Sequence, residues 1–338
     1  MKILVTGGTG YIGSHAAVEL QKKGFEVIIV DDLSNSSIEV IGNITKITGI
    51  KLVFEKIDLS DRESTRAFFK QYPDIGSIIH FAAFKAVGES VEQPLRYYRN
   101  NLGSLMNILE GMEEQGIKDI VFSSSCTVYG QPDILPVTED APIKAAASPY
   151  GNTKQISEEM ITDVTRVRDV HCVLLRYFNP IGAHESALIG ELPLGVPNNL
   201  MPYITQTAIG KRDFLRVWGN DYQTPDGTPI RDYIHVVDLA KAHVIAVERM
   251  LAGKSEKKIE AFNLGTGIGY SVLDVIRSFE KTSGIKLAYK ILKRRPGDIE
   301  KVWADTALAN RDLGWKTERN LDDMTLSAWN WEKRLAGL

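Results

Sequence analysis

The chain has 338 residues, with 40 Lys+Arg against 43 Asp+Glu (formal net charge −3), 43% hydrophobic and 25% charged residues. That balance is too apolar for a disordered chain and too nearly neutral for a broad field toward nucleic acid or anionic membrane, so any anion site must be local. Cys126 and Cys172, the only two cysteines, stand far apart and outside any CxxC, which excludes a disulfide framework and points to a reducing cytoplasm.

Met1-Lys2 leads into a short apolar run and then glycines, a pattern that fits no signal-peptide core. Short β-branched runs at Ile3–Val5, Val27–Val30, Leu52–Phe54, Ser77–Phe81, Ile120–Phe122 and Cys172–Leu175 read as buried strands. Amphipathic segments at Tyr11–Lys23, Arg62–Tyr72 and Asn101–Gln115 read as helices between them. Such alternation over about 180 residues predicts an α/β fold with a doubly wound parallel sheet. After Arg176-Tyr177-Phe178-Asn179-Pro180 the pattern changes. Residues 182–235 are rich in Gly, Pro and Asn and are expected to be mostly loop, shaped around a ligand. The longest uncharged stretch, Leu192 to Gly210, carries Pro193, Pro197 and Pro202 and is neither apolar nor helical enough for a span of about 20 residues. Regular structure returns as a helix over Val236–Met250, a strand and turn over Ala261–Gly269, and a helix over Ser271–Thr282. The length and this change of pattern predict two units, 1–178 and a smaller α/β unit over 179–338, with the helix from Val236 packing back on the first.

The most informative stretch is Gly7-Gly8-Thr9-Gly10-Tyr11-Ile12-Gly13, between the first strand and the first helix. Residues without side chains permit a tight turn, let backbone N–H groups approach a pyrophosphate, and let the helix sit against the strand. The helix N-terminus then faces the phosphates with its partial positive charge. Eighteen residues after Gly13 the second strand ends in Asp31-Asp32. A carboxylate there accepts from ribose hydroxyls and repels a 2′-phosphate, which favours NAD over NADP. Asp58, closing the third strand, is a weaker candidate for an adenine contact.

Ser123-Ser124-Ser125 ends a predicted strand, and Ser148-Pro149-Tyr150-Gly151-Asn152-Thr153-Lys154 opens the next helix, with Ser148 as N-cap and Pro149 at the first position. Tyr150 and Lys154 then share one helical face. A tyrosine of pKa ~10 is a poor base at neutral pH. A neighbouring ammonium and the positive nicotinamide of an oxidised cofactor are expected to lower that pKa, with Ser125 relaying the proton of a reacting hydroxyl. Alone, a Y-x-x-x-K string is more often a surface pair; the glycine turn upstream and the serines at a strand end give it chemical meaning.

Taken together these residues resemble the extended short-chain dehydrogenase/reductase family and, within it, the 4-epimerase branch that acts on UDP-glucose and UDP-galactose. Beyond the motifs above, the resemblance is carried by His80–Ser90, Asn100-Asn101, Arg176–His184, Pro197–Tyr203, Gly219–Tyr222 and Arg231–Asp238, and so covers nearly the whole chain. It implies a Rossmann NAD-binding domain over 1–178, a nucleotide-sugar domain over 179–338, and reversible epimerisation at C4 of a UDP-hexose through a 4-keto sugar, with NAD held throughout. Tyr150 is then the base, Ser125 its assistant and Lys154 its tuning cation. Cofactor contacts are implied at Gly7, Gly10, Tyr11, Ile12, Gly13, Asp31, Asp32, Asn35, Asp58, Phe81, Ala82, Lys85, Asn100, Ser123 and Tyr177. Substrate contacts are implied at Lys85, Asn179, Asn199, Leu200, Arg231, Tyr233, Arg295 and Asp298, with Trp218 stacking on uracil. Without the resemblance, Trp218 would read as core and Arg294-Arg295 as a solvated pair.

Val302 occupies the place of a gatekeeper beside the sugar, where family members with a large aromatic exclude N-acetylated sugars. The resemblance therefore extends the expected substrates to UDP-GlcNAc and UDP-GalNAc. Cys126 replaces a small residue after the serines and reads as packing. A UDP-glucuronate 4-epimerase is the nearest alternative. A dehydratase is disfavoured, because that branch needs an Asp-Glu pair where this chain has Ser125-Cys126, and a non-catalytic dinucleotide sensor has no use for Tyr150 and Lys154 together. A homodimer through helices of the first domain is implied; no metal, nucleic-acid or membrane partner is.

Overall fold

The computed structural model describes residues 1–295 and 299–338. In chain order the first half runs β1 (Lys2–Thr6), α1 (Tyr11–Lys22), β2 (Glu26–Asp31), α2 (Glu39–Thr48), β3 (Val53–Lys56), α3 (Arg62–Gln71), β4 (Ile75–His80), α4 (Val87–Glu92), α5 (Pro94–Gln115), β5 (Asp119–Ser125), α6 (Pro149–Val167) and β6 (His171–Tyr177). The second half continues with β7 (Asn179–Ile181), α7 (Leu200–Ala208), β8 (Leu215–Trp218), β9 (Ile230–His235), α8 (Val236–Leu251), β10 (Ile259–Leu264), β11 (Gly269–Ser271), α9 (Val272–Ser283), β12 (Tyr289–Leu292), β13 (Lys301–Val302) and α10 (Leu321–Leu335).

Among the described residues, seven parallel strands pair in the order β10-β6-β5-β4-β1-β2-β3. Successive side chains in each strand go to opposite faces, and both faces are covered. Ile3, Val5, Val27, Ile29 and Ile79 pack with Ala17, Val18 and Leu20 of α1 and Leu239 and Ala242 of α8. Leu4, Ile28, Val30 and Ile78 face the other way, onto Phe68 and Phe69 of α3, Leu105 and Ile108 of α5, and Ile161 of α6. This is the doubly wound α/β sheet expected from the strand–helix alternation. The order reverses at β1, between β4 and β2, and opens a crevice at the carboxyl ends of these strands.

The chain re-enters this sheet late. Residues Ile259–Leu264, which overlap the strand and turn expected over Ala261–Gly269, are its outermost strand beside β6, and α8 lies against α1. Most of 182–235, expected to be mostly loop, lies outside helix and strand, but α7, β8 and β9 lie in it. Met201, Ile204, Leu215, Val217 and Tyr233 bury their side chains with Val275, Ile276 and Phe279 of α9 and Met324 and Trp329 of α10 in a separate core. Pro202, a mark against helix in the sequence, is the third residue of α7, where the backbone N–H has no helical partner to lose. Around this core β9 pairs with β7, β11 and β13, and β8 pairs with β12. No helix among the described residues is long and apolar enough to cross a membrane.

Candidate active site

Because the strands of the large sheet are parallel, the residues that follow β1, β2, β4, β5 and β6 gather at one edge. Gly7 turns the chain after β1 at φ +66°, and its N–H donates to the Val30 carbonyl at 2.8 Å. A Cβ at Gly7 would lie 2.8 Å from the Ala82 nitrogen, so the turn presses on the segment that follows β4. At Gly13 a Cβ would lie 2.3 Å from the Gly7 oxygen and 2.8 Å from the Gly8 Cα. Only glycine lets α1 begin this close to the turn. Gly10 caps α1 with no side-chain acceptor, so the first helical N–H groups, from Tyr11 and Ile12, are left for a ligand.

Asp31, at the end of β2, accepts from the Thr9 N–H (3.2 Å), the Leu33 N–H (2.9 Å) and the Ser36 hydroxyl (3.0 Å). Leu33 sits at φ +62°, a left-handed conformation that non-glycine residues seldom adopt. The N–H groups of Thr9 and Leu33 together hold the Asp31 carboxylate against the glycine turn. Asp32 instead accepts from Ser34, backbone and side chain, and Asp58 from Ser60 in the same way. Phe81 meets His243 of α8 with ring centres 4.6 Å apart and planes tilted by 47°, and Ala82 donates its N–H to the Thr6 hydroxyl at 3.3 Å. A glycine cradle, an uncapped helix start and an acid at the second strand end are what an adenine dinucleotide requires, and the residues present fit NAD.

The catalytic candidates occupy the next two strand ends. Ser148 caps α6 through the Gly151 N–H at 3.2 Å, with Pro149 at the first helical position as the sequence predicts. This start sets Tyr150 and Lys154 on the face of α6 that meets β5. The Lys154 ammonium is buried, donates to the Ser123 carbonyl at 2.6 Å, and lies 4.8 Å from the Phe122 ring centre. Burial pulls its pKa down to about 8, against the raising field of Glu158 one turn further along the helix. Ser123 and Tyr177 share a hydrogen bond through their hydroxyls. Tyr150 departs from expectation. Burial, then the neighbouring Tyr177, hold its phenol above the usual value, and the hydrogen bond from Ser125 acts in the opposite direction but is outweighed. The chain by itself therefore stores a neutral phenol; lowering it falls to a cation supplied with the cofactor.

The second half carries further candidates. Asn179 in β7 pairs in register with Tyr233 of β9, and Val302 of β13 pairs with Arg231. Asn199 is the N-cap position of α7 with Leu200 as its first residue, and the Asn199 amide donates to Glu191. Lys85 lies 3.4 Å from that same carboxylate and 5.9 Å from the Tyr11 ring centre, while Tyr11 donates to the Gly182 carbonyl at 2.7 Å. Asn100 donates its amide to Asn101, which in turn holds Phe84 and Thr153. Arg231 donates to the Ile230 carbonyl, and Arg295 lies over Trp218 at 5.8 Å. Asp298 lies outside the described residues. Val302 packs with Cys126, Val128, Tyr129 and Phe178, the neighbours of Ser125 and Tyr177. Glu191 and Glu158, which gather so many of these groups, carry no motif of their own and escape a reading of the sequence.

Fold and site define a nucleotide-dependent oxidoreductase-type enzyme of the extended short-chain class. The model of the GDP-mannose 4,6 dehydratase family matches residues 4–327. A UDP-glucose 4-epimerase of Bacillus subtilis is 52% identical over 333 residues, covering 98% of this chain and 97% of the relative. Among solved structures, a UDP-glucose 4-epimerase from Stenotrophomonas maltophila with bound NAD and formylated UDP-arabinopyranose superposes with a TM-score of 0.96 at 47% identity, over 100% of this chain and 99% of that one. One from Bifidobacterium longum in complex with NAD+ and UDP gives 0.94 at 45% identity, over 99% and 98%. The chain belongs to the UDP-glucose 4-epimerases within the GDP-mannose 4,6 dehydratase family.

Proposed function

We propose that this enzyme interconverts UDP-glucose and UDP-galactose by removing and restoring hydrogen at C4 of the hexose, with NAD retained from one turnover to the next. The observation that carries this reading is the meeting of the glycine turn and the Ser125–Tyr150–Lys154 constellation at one edge of one sheet. When bound, NAD supplies a two-electron acceptor that takes the C4 hydride and gives it back. Tyr150 accepts the 4-hydroxyl proton as the carbonyl forms and returns it afterwards. Ser125 holds O4, and Lys154, fixed on the Ser123 carbonyl, orients the cofactor ribose and adds positive potential beside the phenol. Asn179, Asn199, Leu200, Arg231, Tyr233 and Arg295 grip the UDP, and Trp218 receives the uracil. Arg231 and Arg295 offer the planar forks that pyrophosphate oxygens match. Remote binding of this kind frees the sugar to present either face. The test is incubation of purified protein with UDP-galactose and no added cofactor, with resolution of the products. Formation of UDP-glucose supports the reading; loss of water, or no reaction with NAD demonstrably bound, contradicts it.

A 4,6-dehydratase reading is opposed by Cys126. Burial drives its thiol up to about 12, so the side chain after Ser125 stays neutral and is no carboxylate base.

Substrate breadth follows from Val302, a small apolar wall between Cys126 and Phe178. We place the 2-substituent of the hexose there and assign UDP-GlcNAc and UDP-GalNAc as further substrates. Val302→Tyr is expected to cut turnover of the acetylated pair by at least ~10-fold, the scale at which a pocket discriminates by volume, while UDP-galactose turnover changes little. No turnover of acetylated sugars by the native enzyme would remove the assignment.

For assembly we propose a homodimer joined through α4 and α5, whose outward face exposes Val91, Leu95 and Met106, Leu95 by 75%. Sedimentation should return twice the 37.6 kDa chain mass, and Leu95→Glu should halve it. A native monomer would refute the interface.

A further inference from the structure

Beneath the catalytic face of α6 lies an ion pair that the mechanism above does not use. Glu158 follows Lys154 by one helical turn and Tyr150 by two, and is 5% exposed. Its Oε1 accepts from the Ser124 hydroxyl at 2.5 Å and from Arg176 Nε at 3.0 Å, and its Oε2 accepts from Arg176 Nη2 at 2.6 Å. Arg176 is itself held by the Tyr129 hydroxyl at 3.0 Å and the Glu139 carbonyl at 3.2 Å. Taking two charges out of water is costly, and apolar residues of similar volume usually serve stability as well. Stability alone gives no reason for this pair.

Its connections supply one. Ser124 stands between Ser123, whose carbonyl holds Lys154, and Ser125, which bonds to Tyr150. Arg176 immediately precedes Tyr177, whose hydroxyl meets Ser123. One carboxylate thus ties together the helix, the strand and the neighbouring strand that carry the reacting groups. We infer that Glu158 is a positioning residue: through Ser124 and Arg176 it locks α6 against β5 and β6 so that Tyr150 and Lys154 face the serine row. This inference rests on the epimerase reading above.

The groups that bear on Lys154 are Glu158 on the same helix and His80 on β4, with Arg176 of β6 in its ion pair with Glu158 and the phenols of Tyr150 and Tyr177 beside the site. His80 is buried and held neutral, its pKa lowered to about 3, so Glu158 is the anion of this set and Arg176 offsets part of its field. Replacing Glu158 by Gln removes a field that raises the Lys154 pKa, so the ammonium is lost at lower pH than in the native enzyme. In Glu158→Gln, kcat should fall by about 10²-fold, the cost of misplacing a reacting group by about 1 Å, with KM nearly unchanged. The alkaline limb of the kcat profile should move to lower pH. The Lys154 13Cε NMR signal of ligand-free protein should titrate lower in parallel. Ser124→Ala, which cuts the tie but leaves the charge, should lower kcat without moving either titration.

If Glu158→Gln fails to fold around the unpaired Arg176, the double variant Glu158→Leu/Arg176→Met removes both charges and the tie together, and its kcat should fall in the same way. Native kcat in whichever of these variants folds would overturn the inference. The NMR titration needs no turnover, so a native enzyme without epimerase activity would defeat the functional reading separately.

Discussion

Replacing Tyr150 by Phe should lower turnover by ~10³-fold or more, within the range for loss of a positioned proton-transfer group, while NAD remains bound. The reason lies in the order of effects on this phenol. Burial and Tyr177 raise its pKa, and Ser125 opposes them. It is therefore a poor base until positive charge arrives, and an effective one only beside Lys154 and an oxidised cofactor. Phenylalanine keeps the ring and leaves untouched the glycine cradle, which follows a different strand, β1. Cofactor content measured by absorbance after denaturation should match the native enzyme. Turnover within a few-fold of native would remove Tyr150 from the base role.

The second large effect is expected at the glycine turn. Gly13→Ala should abolish NAD retention and destabilise the protein by about 1–3 kcal/mol, the usual cost of overpacking. A Cβ there meets backbone on two sides, 2.3 Å from the Gly7 oxygen and 2.8 Å from the Gly8 Cα, and backbone has no rotamer by which to yield. The helix must back away from the turn, which withdraws the Tyr11 and Ile12 N–H groups from the pyrophosphate position. Thermal unfolding with and without added NAD checks both parts. A variant that binds NAD normally would show that close approach of α1 is not what the glycine provides.

Much of this was legible in the sequence for specific reasons. The strands of the large sheet alternate between two covered faces and so read as apolar runs, and Ser148-Pro149 marks the start of α6 by cap chemistry alone. Helix α2 gives no such signal, since Gly42 and several β-branched residues oppose a helix there, and Ile44 provides its fully buried anchor. Helix α10 did carry one, a reciprocal cap between Asn320 and Asp323, but its apolar face is explained only by the core it shares with α7 and α9. The strands within 182–235 are short and polar on one side, and pair with segments such as β11 and β13 that are themselves only two or three residues long. The Glu158–Arg176 tie could not be seen at all, because 18 residues separate its members and the fold alone makes them neighbours. The state of Tyr150 without its cofactor is hidden for a related reason. The spacing shows the ammonium one turn away, but not that it donates to the Ser123 carbonyl or that burial dominates the phenol.

Exchange of hydrogen at C4 tests the central claim most directly. A hydride delivered to and returned from a nicotinamide face never becomes a solvent-exchangeable proton. UDP-galactose turned over in D2O, with no cofactor added, should therefore give UDP-glucose of unchanged mass with protium at C4. Deuterium at C4 in the product would mean that the carbon was deprotonated rather than oxidised, and would contradict the account.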